Sequence, residues 1–213
     1  MRLNGKRFAA AAVGSILLIG ALALPAVAGA APKFGKRYVG TLSGSTTDTN
    51  TNGTALSTDW SITSLRFKRK KIQSFGSTRT AIYKVTGGSI TLNAVKSGSC
   101  TYEVHQQLDL VDALSKPEIA APLALSYVSS TKDLRADGTL TIDPIATTQT
   151  CTYSDGTTDV STVEFSIPQP LMNIGFTTPK SFKRLHGTHK QNDTYSYGEG
   201  KTTATWHWDL KSK

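Results

Sequence analysis

Through most of the chain, apolar side chains recur at every second position in short runs, with polar residues between them. In GGSITLNAV, Ile90, Leu92 and Ala94 fall on one face. In CTYEVHQQLDL, Tyr102, Val104, Leu108 and Leu110 share a face on which Gln106 is the one polar member. The same alternation appears in PLALSYVSS (Leu123, Leu125, Tyr127), GTLTI (Leu140, Ile142) and STVEFSI (Val163, Phe165, Ile167). A period of two is the mark of a strand with one buried face. In the final run, TATWHWDL, it puts Ala204, Trp206, Trp208 and Leu210 on one side and Thr205, His207 and Asp209 on the other. The histidine is therefore not sandwiched between the rings, and the tryptophans read as core anchors of a last strand.

The segments between the runs carry turn chemistry. Gly87-Gly88, Asp137-Gly138 and Asp155-Gly156 tolerate positive φ and are expected to close tight hairpins. Asn52-Gly53 lies in a longer polar stretch, STTDTNTNG, read as a mobile hairpin loop. Two stretches break the rhythm. LVDALSKPEIAAP is expected to hold a short helical turn around Val111 to Ser115, before Pro117. IPQPLMNIGFTTPKSF, with Pro168, Pro170 and Pro179, reads as an irregular crossover, because proline lacks the amide hydrogen a ladder needs. The hairpin from Gly40 to Trp60 resembles the one from Gly187 to Trp206 and Trp208. The CTY segments at Cys100 and Cys151 stand in a different order relative to these hairpins in each half, so the likeness is read as shared hairpin physics.

The first 30 residues differ in kind. Arg2, Lys6 and Arg7 precede an apolar run from Phe8 through Leu24, which Pro25 and the small residues AVAGAAP terminate. This is the pattern of a secretory signal peptide, residues 1–30, with cleavage after Ala30 or Ala28. No later segment approaches the roughly 20 apolar residues of a membrane helix, so no membrane span is expected after cleavage, and the protein reads as secreted or extracytoplasmic. Residues 31–213 fit one domain. Cys100 and Cys151 both survive cleavage and are expected to form one disulfide in an oxidising compartment. The whole chain carries +9. Without the three basic residues of the leader it carries 21 basic against 15 acidic residues, or +6. Ser and Thr make up about a quarter of the sequence, and strong helix formers seldom recur at helical spacing. Together these features predict an all-β domain, an antiparallel β-sandwich or β-barrel of roughly nine to eleven strands.

Candidate chemistry is sparse. No G-x-S-x-G elbow, H-E-x-x-H pair or phosphate-cradling glycine loop occurs. His207 and Asp209 share a face that a neighbour such as His189 could complete as a metal site; His105 and His186 are the other histidines, and exposed strand histidines are the plainer account. Asp109 with Asp112, or Asp155 with Asp159, are carboxylate pairs by proximity alone. Neither a metal nor a cofactor is expected. The sharpest local charge is LRFKRKKI, where Leu65 and Phe67 can face inward while Arg66, Lys68 and Lys70 face out, with Arg69 and Lys71 completing the run. Such a run suits an anionic cell-envelope polymer or lipid surface, or else protects a sheet edge from pairing. Nucleic acid is not expected, since the run lacks interleaved aromatics for base stacking. Trp60, Trp206 and Trp208 are candidate aromatic ligand contacts, or ordinary core residues. The reading that results is an exported, non-enzymatic binding or envelope-associated protein. The alternatives are a barrel-type carrier of a small apolar or aromatic ligand, and a secreted hydrolase without a recognisable motif.

Overall fold

Threonine, serine and β-branched residues suit a pleated, half-buried surface, and here they sustain long strands. The structure, a computed structural model, describes residues 31–114, 122–167, 169–174, 178–194 and 200–213. Residues 1–30, read above as a signal peptide, and Pro117 and Pro168 lie outside these residues. β1 (Arg37–Asn50), β2 (Ala55–Phe75) and β3 (Thr78–Ser97) form a meander that β4 (Cys100–Asp109) extends. After α1 (Leu110–Ala113) come β5 (Leu123–Val128), β6 (Asp133–Asp137), β7 (Thr139–Leu140), β8 (Ile145–Thr152), β9 (Thr158–Phe165) and β10 (Met172–Asn173). The chain closes with β11 (Arg184–Thr194) and β12 (Gly200–Ser212).

Ten strands make one antiparallel sheet in the order β11-β12-β1-β2-β3-β4-β8-β9, with β5 and β6 branching from β3, while β7 and β10 pair separately. The all-β antiparallel class follows from the alternation. The strands lie in one large sheet rather than two of similar size, and among the described residues no ladder joins β9 to β11. β3 supports the branch through its length: residues 89–96 pair with β4, and residues 78–83 pair with β5.

The turns correct several expectations. Asn52-Gly53 and Asp155-Gly156 do close hairpins, with φ of +82° and +80° at the glycines. Most of the polar stretch before Gly53 belongs to β1, because threonines with partners on both sides complete a ladder that pairs as far as Asn50 with Gly200. Gly87-Gly88 does not turn but lies inside β3. A Cβ at Gly87 would collide with the Arg66 guanidinium, so the missing side chain there makes room. Asp137-Gly138 separates two strands that do not pair with each other, since β6 pairs with β5 and β7 with β10.

One face of the sheet is the core. Tyr38, Leu42, Trp60, Ile62, Leu65, Phe67, Tyr83, Ile90, Leu92, Trp206 and Leu210 are all buried there. The crossover between β9 and β11 lies against this face, contributing buried Leu171, Met172, Ile174 and Phe182. It is tied down by side chains of the sheet. The Trp60 indole N–H donates to the Leu171 carbonyl at 2.8 Å, the Trp206 N–H to the Pro170 carbonyl at 2.7 Å, and the Tyr38 hydroxyl to the Phe182 carbonyl. Tyr83 donates to the Gly35 carbonyl at 2.9 Å, holding the N-terminal approach, and burial pushes its phenol up to about 12.

The disulfide forms as the cysteine count predicts. Cys100 and Cys151 are register partners on β4 and β8, in a ladder of two pairs that is completed by Thr101 and Thr150. The short helix also forms, one residue earlier than expected. Asp109 caps it, accepting from the Val111 and Asp112 amides, which satisfies donors that a helix start leaves free.

Candidate functional site: the exposed face of the sheet

The opposite face of the sheet carries the charge, and β-bulges decide which residues reach it. Counting in twos from Trp60 and Ile62 would turn Ser64 and Arg66 into the core. Instead, three residues of β2 (Ser64 to Arg66) pass while β3 advances by two, from Ser89 to Gly87, and Ser64 takes a φ of +52°. The extra residue reverses the phase. Leu65 and Phe67 then face in, 0% and 1% exposed, and Arg66 and Lys68 face out. A second irregularity, between Arg66 and Phe67, leaves Thr86 without a partner in the β2 register, and a third, between Arg69 and Lys71, leaves Lys70 without a partner in the β3 register.

Ladder pairing brings in cations from elsewhere in the sequence. Arg37 on β1 is the partner of Lys68, and Lys68 is the partner of Lys84 on β3. Three cations thus stand side by side on three neighbouring strands. In the adjacent row Lys211 on β12 pairs with Val39, which pairs with Arg66. Asp209, two residues before Lys211, is taken up by Arg184, whose guanidinium makes two hydrogen bonds of 2.7 Å to its carboxylate. That pairing holds the Asp209 carboxyl below its ordinary value. Like charges directly opposite one another destabilise a sheet. The row of Arg37, Lys68 and Lys84 therefore costs folding free energy that a bound anion would return.

The structure divides the basic run LRFKRKKI. Arg66 and Lys68 belong to a strand flanked on both sides by β1 and β3, so they guard no edge. Lys70 and Lys71 lie where β2 has run past the start of β1, and there edge protection still applies. Arg69 is committed elsewhere: its guanidinium donates to the Phe34 carbonyl at 2.9 Å, and its backbone N–H donates to the Lys36 carbonyl.

Next to the cationic rows the same face holds a shallow depression of about 340 Å³ lined by Ser43, Ser45, Asp59, Ser61, Asn93 and His207, among others. Cross-strand register assembles it: His207, Ser43, Ser61 and Thr91 form one row, and Thr205, Ser45, Asp59 and Asn93 the next. The face opposite the tryptophans thus lines something, and His207 belongs to it, its Nδ1 at 2.9 Å from the Thr188 hydroxyl.

The remaining candidates take structural places. Trp60, Trp206 and Trp208 are 3%, 0% and 6% exposed in the core, where Trp60 and Trp206 bond to the crossover. His189 does not join His207 and Asp209, because it registers with Trp206 and stacks on that ring at 5.4 Å. His186 is the histidine opposite Asp209. Asp109 caps α1, and Asp155 accepts from the Thr157 amide and hydroxyl in its turn. Among the described residues no group of three metal-ligating side chains converges, and no helix is long and apolar enough to cross a membrane.

Arg37, Lys84 and Lys211 escape a reading of the sequence, since each stands outside the basic run. Counting outward from the Gly76-Ser77 turn would set Lys68 opposite Val85; only the bulge at Lys70 shifts the register by one and brings Lys68 opposite Lys84, and nothing in the sequence marks that bulge. No family model, no curated protein and no solved structure matches the chain.

Proposed function

We propose that this is an exported, non-enzymatic binding protein that holds an anionic surface of the cell envelope against the cationic end of its exposed sheet face. One observation carries the reading: Arg37, Lys68 and Lys84 in adjacent register on central strands, with Arg66 and Lys211 in the next row. This arrangement opposes folding and suits a ligand with several negative charges. The basic, apolar and small-residue regions of the leader support export, and the disulfide suits an oxidising compartment. The carrier alternative needs the tryptophan face for a ligand, and the protein's own crossover occupies it.

The test compares two variants of equal net charge on immobilised dextran sulfate. Arg37→Gln, Lys68→Gln, Lys84→Gln removes the row; Lys180→Gln, Lys190→Gln, Lys201→Gln removes exposed lysines that do not belong to it. The wild type and the second variant are expected to elute at similar salt and the first at much lower salt, because a protein that neutralises fewer sulfate groups releases fewer counterions on binding. Equal elution of the two variants would leave only non-specific charge and end the reading.

A further inference from the structure

On its β1 side the β2–β3 hairpin runs past the sheet, while on the other side β5 follows β3 as far as Thr78. β1 begins at Arg37, opposite Lys68, whereas β2 continues to Phe75 and turns at Gly76 and Ser77 into β3. At the apex Phe75 is 91% exposed, the largest exposure among the large hydrophobic side chains described, and Ile72 behind it is 40% exposed. Gly76, with φ +55°, makes the apex sharp, and no atom lies within 4 Å of where its Cβ would be. The turn is also braced: the Ser129 amide and hydroxyl both donate to the Ser77 carbonyl, at 2.8 and 3.0 Å, fixing the β5–β6 loop beside it. An aromatic ring held outward on a braced hairpin is a costly exposure for a folded domain to maintain.

Its surroundings are cationic. Lys70 and Lys71 are exposed on β2 behind the ring, and Lys132 is exposed on the adjoining loop. The carboxylate that follows that loop, Asp133 at the start of β6, accepts from Thr131 and lies 3.8 Å from Arg135. An exposed aromatic ring with lysines behind it on its strand and on the adjoining loop is the pairing that binds an anionic bilayer, with the ring seated among headgroups and acyl-chain ends and the ammonium groups on lipid phosphates. A soluble polyanion answers the lysines but offers nothing to Phe75.

We propose that the tip of the β2–β3 hairpin is a membrane-surface anchor that seats Phe75 in the interface of a bilayer rich in anionic phospholipid. This rests on the reading that the cationic end of the sheet faces an anionic envelope surface, and it names lipid as that surface. Neither the hydrophobic nor the electrostatic contribution suffices alone, since stable attachment takes two signals.

The experiment is co-flotation of the full-length mature protein with vesicles of phosphatidylcholine containing phosphatidylglycerol, and with phosphatidylcholine alone. The wild type is expected to float with the former and not the latter. Phe75→Ser should bind the anionic vesicles about ten- to a hundredfold more weakly, the range set by burying one phenylalanine, while its elution from dextran sulfate stays unchanged. Phe75→Trp should regain vesicle binding and be quenched by brominated acyl chains, a readout that a soluble polyanion cannot produce. Vesicle binding by Phe75→Ser equal to wild type, or no wild-type flotation at all, would overturn the anchor and leave the dextran sulfate result standing. If Phe75→Ser loses vesicles while the Arg37, Lys68 and Lys84 variant keeps its dextran sulfate elution, the anchor holds and the cationic-row reading fails.

Discussion

Replacing Cys100 and Cys151 together by alanine is expected to lower unfolding stability by about 4 kcal/mol, the loop-closure entropy of a cross-link spanning 51 residues. For a domain of this size that corresponds to a fall of about 8–16 °C in the thermal midpoint. The loss should be uneven. β8 joins β4 through two residue pairs, supported by the Lys96 ammonium donating to the Gln149 side-chain carbonyl at 3.1 Å and the Thr147 hydroxyl to the Glu103 carbonyl at 3.3 Å. β9 offers little further hold, being exposed along most of its length apart from Val163 and Phe165. Hydrogen exchange should therefore rise first in β8 and β9 and leave β1, β2 and β12 protected. A loss below about 1 kcal/mol, or exchange rising evenly across the sheet, would show that the ladder holds the hairpin without the bond.

The second large effect concerns the crossover. Trp206→Ala removes a fully buried indole and is expected to cost about 3–5 kcal/mol. Trp206→Phe keeps most of the apolar volume but leaves the Pro170 carbonyl without its donor, for about 1–3 kcal/mol. The two variants separate packing from pinning. If the indole N–H pins the crossover, Trp206→Phe should speed amide exchange at Leu171 and Ile174, whose N–H groups bond the Leu140 and Gly138 carbonyls. Unchanged exchange at these two amides, with stability reduced all the same, would assign Trp206 to packing alone.

Much of the fold was legible because most of it is local. Period two identified Ile90, Leu92, Trp206 and Leu210 as core residues without reference to any partner strand, and each is buried. Within LRFKRKKI it set Leu65 and Phe67 inward and Arg66 outward, as found; what it missed is that Ser64 is an extra residue, which puts this run out of phase with Trp60 and Ile62. Glycine misled in the same way. Gly87 is small because Arg66 crosses it, a tertiary reason that a turn rule cannot see. Sheet membership was hidden as well, since β3 is long enough to serve both β4 and β5. The candidate site was half visible. Arg66 and Lys68 stood out as a run, but their neighbours Arg37, Lys84 and Lys211 come from three other strands and become neighbours only through register.

Lysine footprinting tests the binding face most directly. The protein would be acetylated under limiting reagent, with and without saturating dextran sulfate, and the modification of each lysine read by mass spectrometry. Lys68, Lys84 and Lys211 are expected to be shielded strongly, with Lys180, Lys190 and Lys201 unchanged. Shielding spread evenly over all six, or confined to Lys190 and Lys201, would contradict the assignment of the cationic sheet end as the binding surface.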